Sequence, residues 1–222
     1  MFSQVRVIGR GRVGAAIHAR LAQCGLAAAG AGGDLVLLCV PDSAIADAAG
    51  AVPPGPWIAH VSGATPLAAL EPHLRRFSVH PLQSFSTARG PEQLDGAWGA
   101  VTAETDDARG VGWWLAETLG LRPFPLADEE RAAYHAGAAM ASNYLVTLRA
   151  AAGSLFEAAG APPEALDPLI RGVMDTGFEL TGPIARGDWA TVEAHLAVIR
   201  ERLPELETLY RTLADATEEL AE

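Results

Sequence analysis

Apolar and polar positions alternate in short blocks along the first 127 residues. Brief apolar runs predict strands, and the most uniform of them, "DLVLLCV" at 34–40, is expected to be buried on both faces. Segments with apolar residues at helical spacing, such as 12–25, lie between these runs. The other predicted strands cover 5–9, 56–63, 76–82, 98–104 and 121–126. Such alternation predicts an α/β domain with a doubly wound, mostly parallel sheet.

After residue 127 the pattern becomes helical throughout. Asp128 precedes a long helical pattern over 129–160, and a second one follows over 163–180. The turn-rich stretch 181–187 separates it from a third helix capped by Asp188, and Pro204 begins the last one. The sequence therefore predicts an α/β domain over 1–127 and an all-α domain over 128–222.

Charge and composition narrow the classes of partner. The formal net charge is −11, which argues against nucleic acid, because binding to phosphate backbones needs clustered cations. All sixteen basic residues are arginine, so any anion binding by side chains depends on arginine. No apolar run approaches the roughly 20 residues of a membrane span, and the start of the sequence leads to the expectation that there is no signal peptide. Cys24 and Cys39 are interpreted as core thiols of a cytoplasmic protein.

The hexamer "GRGRVG" follows the first predicted strand and opens the first helix. Gly9 permits the tight turn, Gly11 lets backbone approach a pyrophosphate, and Gly14 allows close packing of helix on strand. The helix N-terminus would present free N–H groups to the phosphates. A plain glycine turn is the alternative. The predicted cofactor loop comprises Gly9, Arg10, Gly11, Arg12, Val13 and Gly14.

The segment that should hold the adenosine end of a dinucleotide is short. An NAD site usually has an acidic residue about 20 positions after the loop, which here is Asp34, the first residue of the next strand. The stretch "LAAAGAGG" at 26–33 leaves room for a stub of strand and a turn. Arg10 and Arg12 either contact phosphates, including a 2′-phosphate, or are solvated helix-start residues. NADP and NAD both remain open.

Histidines supply the candidates for proton transfer. His80 ends a predicted strand, where sites form in open α/β sheets, and is an acid/base candidate unless it only caps a carbonyl. His60 is expected in the core and His73 in a solvated connector. His135 shares a broad sector of the long helix with two polar residues, Ser142 and Asn143. None of these spacings predicts a metal site.

The loop "TGPIARGD" supplies one further candidate, Arg186. It either clamps a substrate anion or pairs with a nearby acid at a helix cap.

Several motifs together resemble a known family. They are "VIGRGRVG", "DLVLLCVPDSAI", "HVSGAT", "HPLQSF", "YHAGAAMASNYL" and "LTGPIARGDWATVEAH". Over nearly the whole chain they resemble the Rossmann-like proteins with a C-terminal DUF2520 domain, a group related to 6-phosphogluconate dehydrogenase-like reductases. The resemblance implies an NADP-type dinucleotide at the first domain, a homodimer formed through the helical domain, and an active site between the domains.

The resemblance also assigns roles by position. Val40 and Pro41 match the strand end along the cofactor, and Ser62 and Gly63 match the loop that approaches the nicotinamide. His80 resembles the substrate-contacting histidine of prephenate dehydrogenases.

In the helical domain, Asn143 matches the asparagine of the hydroxyacid dehydrogenases. Those enzymes place a catalytic lysine where this chain has Ala139, so His135 is the nearby group that can replace it.

These observations predict an NAD(P)-dependent oxidoreductase of a small carbonyl, imine or hydroxyl substrate. His80 or His135 would exchange the proton, Asn143 and Ser142 would orient the substrate, and Arg186 would hold a carboxylate. The absence of the lysine favours an alternative, a nucleotide-binding sensor or scaffold homodimer without chemistry. A plain dimerisation module is a third possibility.

Overall fold

The computed structural model describes residues 2–28, 30 and 32–221. The chain packs as two compact units, the first ending at Met140 and the second beginning at Ala141. The domain boundary predicted after residue 127 stays a prediction, since these units are defined by packing alone.

One six-stranded sheet forms the centre of the first unit. Its strands are β1 (Val5–Ile8), β2 (Leu35–Leu38), β3 (Trp57–His60), β4 (Arg76–Leu82), β5 (Trp98–Ala103) and β6 (Arg122–Pro125). They lie side by side in chain order, and every pair is parallel except β4 with β5. The prediction of a doubly wound, mostly parallel sheet is therefore confirmed.

Helices cover both faces of the sheet, which explains the continuous apolar strands. All four residues of β2 are buried. One core lies between the sheet and the helices α1 (Arg12–Gln23) and α3 (Asp106–Thr118), and the second lies beneath α2 (Ile45–Gly50). Successive residues of β2 alternate between these two cores, so neither face can be polar.

The long helix predicted over 129–160 is divided. A 3-10 turn at Asp128–Glu130 leads into α4 (Arg131–Ala139), then a π-helical segment at Met140–Tyr144, then α5 (Leu145–Ala158). The predicted long helix is therefore present over 131–158, but it contains a π-helical segment that the sequence did not predict. A π segment adds one residue to a turn, and helix-forming residues continue through it without a proline.

The remaining helices of the second unit are α6 (Leu166–Asp175), α7 (Trp189–Arg202) and α8 (Glu207–Ala221). The helix predicted over 163–180 is shorter than expected, because α6 ends at Asp175 and Gly177 and Phe178 follow with positive φ angles of 71° and 64°. Asp188 caps α7 as predicted, accepting hydrogen bonds from the Thr191 N–H (3.2 Å) and hydroxyl (2.7 Å).

Within the described part of the chain, no helix is both long and apolar enough to cross a membrane. The same residues contain no group of three histidine, cysteine or acidic side chains arranged to hold a metal ion.

Candidate functional site

The register of the parallel strands brings the predicted site residues of the first unit to one edge. Ile8, Leu38, His60 and Ser78 lie opposite one another across β1 to β4. Each of these residues is followed two positions later in the chain by a predicted site residue, namely Arg10, Val40, Ser62 and His80. This edge holds the carboxyl ends of β1, β2 and β3 and the middle of the longer β4, the place where ligands bind in open α/β sheets.

The glycine loop has the shape of a phosphate cradle. Gly9 has a φ of 105°, and a Cβ there would lie 2.3 Å from the Cys39 carbonyl oxygen. A Cβ at Gly14 would lie 2.3 Å from the Gly9 carbonyl oxygen, so neither position accepts a side chain. Gly11 differs, because a Cβ there would have no neighbouring atom within 4 Å. The space beside Gly11, at the start of α1, is therefore open.

The N-terminus of α1 is free to bind an anion. Gly11 is its cap residue, and no side chain accepts a hydrogen bond from the first turn, which also contains no acidic residue. Among the described residues, the first N–H groups of α1 therefore have no side-chain cap, and the positive end of the helix dipole lies beside them. These features fit the pyrophosphate of a dinucleotide. Val13, within the same turn, packs its side chain against the core.

An arginine-lined groove of about 480 Å³ continues from this helix terminus. It runs between α1 and the segment 86–91, and Arg10, Arg12 and Arg89 contribute its positive charges. Within the described residues, none of the three guanidinium groups has an ion pair or hydrogen bond, although the chain is acidic. Ser86 and Thr87 add hydroxyl groups to the wall. The sequence reasoning did not single out Arg89.

The short strand predicted over 26–33 is present as a single bridge. Ala27 forms a parallel bridge to Val5, with Val5 donating to the Leu26 carbonyl (2.7 Å) and Ala28 donating to the Val5 carbonyl (3.0 Å). Positions 29 and 31 of the expected turn lie outside the described residues. The Asp34 carboxylate accepts hydrogen bonds from the Ser3 N–H (2.7 Å) and hydroxyl (2.8 Å). These bonds lower the pKa of Asp34 and tie it to the start of the chain.

A buried arginine ties the first residues of α4 to the strand ends. Arg131 is 2% exposed, and its Nε lies 2.5 Å from Oδ1 of Asp128. Its two terminal nitrogens donate to the Ser62 carbonyl oxygen (3.1 Å) and to the Ser78 hydroxyl. Asp128 in turn accepts from the Leu67 N–H. Asp128 therefore orients Arg131 rather than capping a long helix.

The Ser62 side chain is used to build its own turn. Its Oγ accepts hydrogen bonds from the N–H groups of Ala64 (3.2 Å) and Thr65 (2.9 Å). Its backbone N–H donates to Nδ1 of His60 (3.2 Å). Contacts from the 62–63 turn toward a cofactor would therefore come from backbone atoms. The cofactor-binding roles of Ser62, Gly63, Val40 and Pro41 stay predictions.

Three aromatic side chains gather beside Gly63. His80 Nδ1 lies 2.7 Å from the Tyr134 hydroxyl oxygen, and the His80 and His135 rings have centroids 6.5 Å apart. A Cβ at Gly63 would lie 3.0 Å from Cε1 of His80 and 3.1 Å from Cδ2 of His135. His80 and His135, predicted independently, are thus brought together, whereas Tyr134 was missed.

Burial is the main cause that keeps His80 and Tyr134 neutral. Burial, then the neighbouring His135 and Arg131, lowers the pKa of His80 to about 4. Burial raises the pKa of Tyr134 to about 12. His60, which is fully buried as predicted, has its pKa lowered to about 3, again first by burial. At neutral pH His60, His80 and Tyr134 are therefore neutral.

His73 was predicted in solvent, and that prediction was wrong. It is 6% exposed, and its Nε2 lies 3.0 Å from the Ala49 carbonyl oxygen. The connector around it is polar, but the imidazole itself joins two segments of backbone.

The second unit carries the other predicted residues. Ser142 and Asn143 lie in the π-helical segment, both exposed, and such segments are frequent at functional sites. Arg186 ends a 3-10 turn at Ile184–Arg186 and is exposed. Its charge, after the Thr191 hydrogen bonds, helps to lower the pKa of Asp188. The substrate-binding and catalytic roles given to Ser142, Asn143 and Arg186 stay predictions.

Solved structures similar to this chain share its fold over nearly its whole length. BF3122 from Bacteroides fragilis, for which the role of NADP oxidoreductase has been suggested, has a TM-score of 0.82 at 21% identity, covering 98% of both chains. TM1727 from Thermotoga maritima has a TM-score of 0.79 at 25% identity, with the same coverage. A 1-pyrroline-5-carboxylate reductase from Streptococcus pyogenes has a TM-score of 0.62 at 15% identity, covering 98% of this chain and 97% of that one.

Comparison with curated proteins found no match. A family model does match, over residues 97–217, and its description is a domain of unknown function, DUF2520. That match spans more than half of the chain and includes Trp98, Arg131, Tyr134, Asn143 and Arg186. With a Rossmann-like sheet and a helical C-terminal region also in place, the chain belongs to the DUF2520 family.

Proposed function

We propose that this protein is an NAD(P)-dependent oxidoreductase that acts on a small carbonyl, imine or hydroxyl substrate. The observation that carries the proposal is the shared strand edge, which places His80 in the same row as the cradle formed by Gly9, Gly11 and Gly14. Solved structures of the same fold that are described as NAD(P) oxidoreductases or as dehydrogenases support it.

The chain's own residues would bind the cofactor in two places. The N–H groups at the start of α1 would hold the pyrophosphate, and Arg10, Arg12 and Arg89 would neutralise phosphate charge along the groove. A bound nicotinamide would supply the hydride chemistry. His80 or His135 would exchange the proton at the substrate oxygen or nitrogen. Asn143, Ser142 and Arg186 are proposed to orient the substrate.

The first experiment is calorimetric titration of ligand-stripped protein with NADPH and with NADH. We expect micromolar binding of at least one. Arg89→Gln and Arg12→Gln should weaken it, each by about tenfold, as expected for loss of a charge-assisted contact. Arg75→Gln is the matched control, because Arg75 is exposed at the opposite, amino-terminal end of β4. Binding of neither nucleotide would overturn the proposal.

Turnover separates an enzyme from a sensor. A panel of small aldehydes, ketones and imines with the reduced cofactor, and of hydroxyacids with the oxidised one, should yield a substrate. Tight nucleotide binding without turnover of any panel member would favour the nucleotide-binding sensor or scaffold instead.

We also propose that the protein is a homodimer formed through the second unit. Large apolar side chains are exposed there in number, more than an isolated soluble unit usually carries. They include Leu145, Val146, Leu148, Leu169, Val173, Met174, Phe178 and Leu180. Leu169 and Val173 lie one turn apart on α6 and give this surface a continuous stripe.

A further inference from the structure

Tyr134 and His80 form a hydrogen-bonded pair across 54 positions of the chain. Tyr134 lies on α4 and His80 on β4, with 2.7 Å between the hydroxyl oxygen and Nδ1. The rings meet edge to face, with centroids 5.5 Å apart and an interplanar angle of 87°. Gly63 lies against the imidazole ring, because a Cβ there would be 3.0 Å from Cε1 and 3.1 Å from Nδ1 of His80. Both its position and the identity of the bonded nitrogen are therefore defined.

The direction of this hydrogen bond follows from the chemistry of the two groups. A neutral imidazole has one nitrogen that donates and one that accepts, and the partner of one nitrogen decides the state of the other. The Tyr134 hydroxyl keeps its proton, since burial raises its pKa to about 12. Within the described residues, Nδ1 of His80 is the acceptor available to that proton. A Tyr134 hydroxyl that donates to Nδ1 leaves the imidazole proton on Nε2.

The charges around His80 favour the same neutral state. Arg131 and His135 face His80 from α4 and disfavour its protonated form. Asp42, which follows β2, favours the protonated form. His60 on β3 is itself neutral near neutral pH. Burial is the largest influence, and the pKa of His80 falls to about 4. A second proton on Nδ1 would in addition displace the proton donated by Tyr134.

We propose that Tyr134 is a positioning residue that fixes His80 as the neutral Nε2–H tautomer. A substrate oxygen at this edge would then meet a hydrogen-bond donor, rather than an imidazolium or a lone pair. This consequence rests on the proposed oxidoreductase function. The tautomer itself does not, so the two can fail separately.

A second tyrosine–histidine pair in the chain provides a matched control. Tyr210 and His195 also have 2.7 Å between the hydroxyl oxygen and Nδ1, with ring centroids 6.0 Å apart at an angle of 88°. They lie on α8 and α7, and the bond is exposed. Tyr210→Phe thus removes the same kind of hydrogen bond from another part of the chain.

The test is a long-range proton–nitrogen NMR correlation on protein labelled with ¹⁵N in histidine, at pH 7.5, with His80 assigned through His80→Gln. In the wild type we expect Nε2 of His80 protonated and Nδ1 unprotonated. Tyr134→Phe should shift both nitrogens toward the average of free imidazole. Tyr210→Phe should change the signals of His195 and leave those of His80 in place. Circular dichroism of both variants checks that each remains folded.

Two results would overturn the proposal. One is a wild-type His80 with the proton on Nδ1 or with averaged nitrogens. The other is an unchanged His80 spectrum in folded Tyr134→Phe. If NADPH and NADH fail to bind while the Nε2–H tautomer is observed, the proposed function is wrong and the positioning role of Tyr134 stands.

Discussion

The backbone of Gly63 lies directly against the imidazole of His80, at a distance that leaves no room for a methyl group. A Cβ at position 63 would come within 3.0 Å of Cε1 of His80. We predict that Gly63→Ala displaces the ring by a few tenths of an ångström and costs about 1 kcal/mol of unfolding free energy, as mild overpacking does. The His80 NMR signals should shift, and any turnover should fall.

Gly110→Ala is the control for this substitution. Gly110 is exposed within α3, and a Cβ there meets no atom within 4 Å. Alanine should stabilise that helix by up to about 1 kcal/mol. If chemical denaturation shows equal effects for the two substitutions, and His80 is undisturbed, the contact at Gly63 does not constrain the ring.

Two substitutions in the glycine loop should have opposite effects on stability and on nucleotide affinity. Gly11→Ala adds a methyl group in open space with an ordinary backbone conformation, so the melting temperature should stay unchanged while nucleotide affinity falls at least about tenfold. Gly9→Ala forces a side chain into positive φ and against the Cys39 carbonyl, and should cost about 2 kcal/mol or more. Thermal melts and calorimetry measure both. Unchanged affinity in Gly11→Ala would remove the loop from the nucleotide site.

These residues also show what the sequence alone can predict. The glycine loop and the buried run of β2 are local patterns, so neighbouring residues suffice to identify them. The strand expected to end at His80 continues to Leu82, so that part of the prediction was wrong. Arg131, Tyr134 and Arg89 become recognisable only through folding. Arg131 contacts Ser62 and Ser78, 69 and 53 positions away, and Tyr134 contacts His80, 54 positions away. No spacing rule links residues that far apart.

The π segment at Met140–Tyr144 could not be predicted from the sequence for a different reason. No proline interrupts residues 129–160, so the sequence there contains no signal that distinguishes a π segment from a regular helix. Ser142 and Asn143 were therefore placed on a regular helix. Their true directions depend on a backbone feature without a sequence signature.

Arg131 should dominate the stability of the strand edge. Arg131→Met removes donors from the Ser62 carbonyl and the Ser78 hydroxyl and leaves Asp128 without its ion-pair partner. We expect a loss of about 3 kcal/mol, as for breaking a buried ion pair from one side. Loss of its positive charge should also raise the pKa of both His60 and His80. Urea unfolding measures the first effect and NMR titration the second.

Arg109→Met is the matched control, since Arg109 pairs with Asp106 on the exposed side of α3. Exposed pairs contribute little, and this substitution should change stability by no more than about 0.5 kcal/mol. Equal losses of unfolding free energy in the two variants would mean that the burial of Arg131 adds nothing to stability.

Acid should destabilise the fold well above the range in which carboxylates titrate. The pKa values of His60 and His80 fall from 6.5 to about 3 and about 4 on folding. Between pH 6.5 and 4 the unfolded chain therefore binds protons that the folded chain does not, and stability falls as the pH falls. Each such histidine contributes a slope of about 1.4 kcal/mol per pH unit.

Urea unfolding of the wild type and of His60→Asn at pH 7.0, 6.0 and 5.0 tests this dependence. Asparagine can still accept the hydrogen bond from the Ser62 N–H, and the smaller side chain lowers stability equally at every pH. The slope of stability against pH should fall by the contribution of one histidine, about 1.4 kcal/mol per pH unit, in His60→Asn. It should fall by about twice that amount when His80→Asn is added. An unchanged slope in the double variant would show that other groups cause the acid sensitivity.

The apolar stripe on α6 should control self-association. Leu169 is 63% exposed, so Leu169→Glu should leave the folded unit intact while placing a charge within the proposed interface. We expect dimer affinity to fall at least about thirtyfold, the effect of losing a central apolar contact. Leu74→Glu provides the control, because Leu74 is 95% exposed in the first unit. Sedimentation equilibrium should show dimers for the wild type and for Leu74→Glu, and monomers for Leu169→Glu. A wild type that sediments as a monomer would refute the homodimer, and a Leu169→Glu dimer of wild-type affinity would place the interface away from α6.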